Sequence, residues 1–94
     1  MFLVINIKKD GLDMKNYIDK YYPLLNGEEV EYTTTVEAED KTSAEKAVRI
    51  AYIEQLKRVH QMVKEYNMII VGNDPEDIPK NIEYAYRDMR IEII

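Results

Sequence analysis

Apolar and polar positions alternate with different periods along the chain, and each period predicts an element. Residues 2–8 are nearly continuous in apolar side chains, with Leu3, Ile5 and Ile7 on one side and Phe2, Val4 and Asn6 on the other. A run apolar on both faces predicts an interior strand. Lys9-Asp10-Gly11 reads as a turn. Leu12 to Tyr22 then places Met14, Tyr17, Ile18 and Tyr21 at steps of three and four, which predicts a short amphipathic helix stopped by Pro23. Asn26-Gly27 turns the chain again.

Residues 28–39 carry the cleanest alternation. Val30, Tyr32, Thr34, Val36 and Ala38 interleave with Glu29, Glu31, Thr33, Thr35, Glu37 and Glu39, predicting a long strand with one buried face and one wet, acidic face. Thr42-Ser43-Ala44-Glu45 fits a capping box, and a helix should run from there to about Tyr66, with Asn67 closing it. At ~100° per residue, one arc of about 140° holds Ala44, Val48, Ala51, Tyr52, Gln55, Leu56, Val59, Met62, Val63 and Tyr66, the expected core face. Met68 to Val71 reads as a second interior strand ending at Gly72, and 73–79 as a loop rich in breakers. Ile82, Tyr86 and Met89 fit a helix, whereas Ile82, Tyr84 and Tyr86 fit a strand, so 80–87 stays open between the two. A final strand is expected over 88–94.

Residues 1–94 are expected to form a single α+β domain. The expected architecture is a two-layer sandwich: a mixed sheet of about four strands with one short and one long helix packed on one face. The long helix between strands 28–39 and 68–71 would be a crossover, making those strands parallel if they share a sheet. About 24 residues at ~1.5 Å each give the helix roughly 36 Å. A compact 94-residue chain has a radius of gyration near ~12 Å, so the helix should span the molecule or protrude from it.

Composition narrows the chemistry. With 18 acidic residues against 13 Lys plus Arg, the formal net charge is −5. That balance opposes a nucleic-acid binder of the basic-surface type. There is no cysteine, so thiol nucleophiles, thiolate metal sites and disulfides are excluded. His60 is the only histidine and Ser43 the only serine. Their separation along the expected helix, roughly 25 Å at ~1.5 Å per residue, is too great for proton transfer. The acidic 73–77 segment lacks the spacing of a calcium loop or a phosphate loop. The expectation is a non-enzymatic protein with no cofactor and no metal. The N-terminal apolar run is too short for a signal peptide or a membrane span, so a cytoplasmic location without membrane contact is expected.

Charge is segregated, and this changes the picture most. The long helix carries five Lys plus Arg against three Glu, leaving eight basic and fifteen acidic residues elsewhere. Opposite its expected core face, Lys46, Arg49, Ile53, Lys57, His60 and Lys64 fall within about 80°, with Ile50 beside them. One reading is a solvated helix face supported by the i,i+4 pairs Glu45–Arg49 and Glu54–Arg58. The other takes Ile50 and Ile53 as aliphatic anchors in a cationic rim, a surface for a protein partner or for self-association. Glu29, Glu31, Glu37 and Glu39 form a secondary acidic face, either a docking strip for a basic surface or a sheet face kept charged against aggregation.

Eight tyrosines accompany one phenylalanine and no tryptophan. Tyr17, Tyr21, Tyr52 and Tyr66 fall on expected core faces, while Tyr22, Tyr84 and Tyr86 are less clearly placed. Phe, Ile, Lys, Asn and Tyr, all with A/T-rich codons, make up 36 of 94 residues. Small size, this coding bias and the absence of a catalytic constellation suit a phage or mobile-element accessory protein. Such a protein would act by protein–protein contact as a homodimer or larger assembly, for example inhibiting a host factor. The alternatives are association with nucleic acid through the basic stripe and a small ligand-binding domain or enzyme using carboxylates.

Overall fold

The computed structural model describes residues 2–6, 14–66 and 76–94. Its elements are β1 (Phe2–Asn6), β2 (Lys15–Tyr21), β3 (Leu24–Leu25), β4 (Glu28–Glu29), β5 (Tyr32–Ala38), α1 (Lys41–Tyr66), α2 (Ile78–Arg87) and β6 (Ile91–Ile93). The main sheet has the order β1-β5-β2-β6, and β3 and β4 form a separate small hairpin. β5, β2 and β6 are antiparallel neighbours, while β1 joins β5 in parallel with Leu3 opposite Thr34 and Ile5 opposite Val36. The result is the expected α+β arrangement, a mixed four-stranded sheet with one long and one short helix packed against it.

The segments differ from expectation in instructive ways. Residues 15–21 are a strand, not a helix. Tyr17 and Tyr21, four apart, share a face in either conformation, so their spacing did not discriminate. Ile18 does discriminate. In a helix it would join Tyr21 in the core; in β2 it points away from the helices and is half exposed. The alternation was masked because its central inward position is an acid, Asp19, which is fully buried.

The short helix is α2 instead, over 78–87: it takes in 80–87, left open by the sequence, and starts two residues earlier with Ile78 and Pro79, expected in a loop. Ile78, Ala85 and Met89 are all buried, and their spacing of seven and four keeps them on one side. Pro79 stands in the first turn, where its missing N–H costs no bond. β6 starts at Ile91, three residues later than the expected strand. Residues 28–39 are not one strand. Asn26 and Gly27 both have positive φ, as a two-residue hairpin turn requires, and they fold Glu28–Glu29 back onto Leu24–Leu25. The inward face expected for β5 holds: Thr34, Val36 and Ala38 are buried and Tyr32 half-buried. The expected turn at 9–11, the strand at 68–71 and the closing Asn67 lie outside the described residues.

α1 begins two residues earlier than the capping box implied. Asp40 is its cap: the Ser43 backbone N–H donates to Asp40 Oδ1 at 2.7 Å, and that of Ala44 to the Asp40 carbonyl at 3.1 Å. The helix spans the long axis of a molecule 44 × 25 × 21 Å in extent. Its buried side is wider than one helix-on-sheet contact needs. Ala44, Val48, Tyr52, Leu56 and Val63 are buried as expected, and Ala47 and Ile53 join them at the margins. Tyr52 meets Tyr21 with ring centroids 5.5 Å apart, and Tyr21 meets Tyr32 edge-on at the same distance, forming the aromatic centre of the core. Met62 and Tyr66, expected on the core face, are exposed at the far end of α1.

Candidate interaction surface

α1 has two packed sides because α2 lies along it. The Arg49 guanidinium donates from Nη1 to the Ala85 carbonyl at 2.6 Å and from Nη2 to Glu45 Oε1 at 3.3 Å. Lys57 Nζ donates to the Tyr86 hydroxyl at 3.2 Å and stands 5.6 Å from the ring centroid. The two bonds to α2, from Arg49 and from Lys57, bracket Ile53, one turn from each, and Ile53 is 2% exposed. Ile53 is therefore not an outward anchor, which corrects its sequence-based placement. An apolar residue among cations on a second helix face is here the seat of the chain's own second helix.

The remaining candidates divide accordingly. Lys46, Lys57 and Lys64 are exposed, and His60 and Arg49 are half-buried. Ile50 is 57% exposed and Tyr86 55%. Lys46, Ile50, Lys57 and Lys64 lie at helical steps of four and seven, on one stripe of α1. Tyr86 joins that stripe from α2 through Lys57. Its role was hidden in the sequence because 80–87 fitted both periods, so no face could be assigned to it.

The four glutamates of the expected acidic face do not form one row. Glu29 lies in the β3–β4 hairpin, Glu31 in the link to β5, Glu37 in β5 opposite Asn16 of β2, and Glu39 beyond the strand. Glu29 and Glu31 belong to a charged cluster. Arg90 Nη2 donates to Glu29 Oε1 at 3.2 Å, Arg90 Nη1 is 3.4 Å from Glu92 Oε1, and Lys20 Nζ is 3.8 Å from Glu31 Oε1. The Tyr22 hydroxyl lies 3.1 Å from Glu31 Oε1 and 3.2 Å from Glu92 Oε2, and the Arg90 guanidinium carbon is 4.1 Å from the Tyr22 ring centroid. Burial, then the two carboxylates, push the Tyr22 hydroxyl up to about 12. Burial and then Glu29 raise Tyr84 as well. This cluster joins the hairpin to β6, and its carboxylates serve the fold.

On the sheet face away from the helices, Ile18 is exposed beside Ile94, whose backbone N–H donates to the Ile18 carbonyl at 2.9 Å. Sequence periodicity does not single out Ile18, because it assigns that residue to a buried helix face. Among the described residues no group of three His, Asp or Glu could hold a metal ion, and no helix is long and apolar enough to cross a membrane. The chain matches no known family model, no curated protein and no solved structure.

Proposed function

We propose that the chain is a non-enzymatic binding protein that works by protein–protein contact through the exposed stripe of α1 and the adjoining ring of α2. The observation that carries this reading is the pair Ile50 and Tyr86. Both are more than half exposed on the side where Lys46, Lys57 and Lys64 project. Apolar and aromatic anchors inside a charged rim have the make-up of an interface centre, and an acidic partner surface would complement the lysines. Self-association is the simplest form of such contact, and an accessory role in a phage or mobile element is the setting we favour.

Light scattering on size exclusion tests self-association: Ile50→Glu converts an assembly to folded monomers, and an unchanged mass removes this face from the contact. If the wild type is already monomeric, the reading requires a foreign partner. Retention of such a partner should then be lost with Ile50→Glu and kept with Ile18→Glu.

A second reading gains from Tyr86. The sequence placed no aromatic residue among the cations of α1, yet the Tyr86 hydroxyl is 3.2 Å from Lys57 Nζ. An exposed ring beside lysines is the minimal platform for stacking a single-stranded base. Binding of a single-stranded oligonucleotide that weakens with salt and with Tyr86→Ala would favour it, and no binding at low salt would eliminate it.

A further inference from the structure

β2 turns Tyr17, Asp19 and Tyr21 toward the helices, and Asp19 is fully buried. Neither of its carboxylate oxygens has a hydrogen-bond partner. Directly across on β5 stands Thr34, also fully buried, with an equally unpartnered hydroxyl. Opposed residues of an antiparallel pair hold their Cβ atoms about 4.5–5.5 Å apart, so carboxyl and hydroxyl are cross-strand neighbours without a bond between them.

Among the described residues the surroundings offer no compensating charge. On the other flank β6 presents Ile93. The remaining inward positions of β5 and β6 are Tyr32, Val36, Ala38 and Ile91, all uncharged. α2 buries Ile78 and Ala85 and keeps Lys80, Glu83 and Arg87 exposed. From α1, the Arg49 guanidinium is engaged by Glu45 and the Ala85 carbonyl, while the Glu45 carboxylate adds repulsion at Asp19. A buried carboxylate without partners is costly when ionised, and protonation removes that cost.

We propose that Asp19 is a proton-gated latch between β2 and β5: the neutral carboxyl is accommodated beside Thr34 under α1, and ionisation places an uncompensated charge there and loosens the sheet. Burial first, and Glu45 second, hold the carboxyl up at about 6 against an ordinary 3.8. The folded chain thus keeps this proton to a higher pH than the unfolded chain does. The latch's contribution to stability is complete below about pH 4, declines as pH rises to about 6, and stays lost above that.

The test uses the whole chain. The Asp19 carboxyl carbon, followed by NMR, should titrate more than one pH unit above 3.8. The melting temperature of Asp19→Asn relative to wild type should fall by roughly 5 °C or more between pH 7.5 and pH 4.5, because only the wild type gains the latch on acidification. Thr34→Val, which removes a hydroxyl able to donate to the ionised carboxyl, should cost more stability at pH 7.5 than at pH 4.5. Titration in the ordinary carboxylate range overturns the proposal, and this reading needs no variant to fold. A pH-independent difference between Asp19→Asn and wild type, or an equal cost of Thr34→Val at both pH values, also overturns it.

Discussion

Ile50 and Ile53 are the same residue type, three positions apart on one helix, and meet opposite surroundings. Ile53→Ala removes methyl and methylene groups from a filled site between α1 and α2 and should cost about 2–4 kcal/mol. Ile50→Ala removes them from solvent and should stay within about 0.5 kcal/mol. Urea unfolding of the two variants checks this contrast, and equal costs would mean that α2 is not seated over Ile53. Tyr22→Phe should destabilise by about 1 kcal/mol through loss of its hydroxyl bonds to Glu31 and Glu92, read in the same experiment. At this scale the sequence was legible where a residue obeyed its class, as with Val36, Val48 and Leu56. It misled where a polar residue went inside, as with Asp19, or where an apolar one was claimed by a second helix, as with Ile53.

Elements were legible where the pattern had only one period. α1 runs through the span its periodicity predicts as far as Tyr66, and the inward face of β5 follows the alternation of Tyr32, Thr34, Val36 and Ala38. β2 was lost because a four-residue step is shared by helix and strand. Its Ile18 could have decided the matter only with knowledge of which side was buried. The capping box places the cap of α1 at Thr42, whereas the structure uses Asp40, two residues earlier. Asp40→Ala should therefore cost about 1 kcal/mol and Thr42→Ala much less, compared by thermal melts. The hairpin turn makes a further prediction. Gly27 has φ +79° and open space around the position of a β-carbon. Gly27→Ala should destabilise by about 1 kcal/mol through backbone strain alone, whereas a steric origin would need a neighbour that is not there.

At the scale of the whole molecule, net charge conceals the arrangement that matters. The acidic surplus lies outside α1, and part of it is tied up in the cluster of Glu29, Glu31, Glu92, Lys20 and Arg90 at the hairpin end. The lysines of α1 stay exposed on the opposite layer, around Ile50 and Tyr86. Sequence periodicity identified α1 as carrying two faces. It could not show that α2 would take part of the second face, since that depends on where residues 78–87 are placed in three dimensions.

The most direct test of the interaction surface is site-specific photocrosslinking in the source cell, with a photoreactive side chain at position 50 and, as control, at position 18 on the sheet's far side. Both are exposed isoleucines. The proposed surface predicts a discrete crosslinked protein species from position 50, absent from position 18 and abolished by Lys57→Glu with Lys64→Glu. No discrete species from position 50, or the same species from both positions, would contradict it.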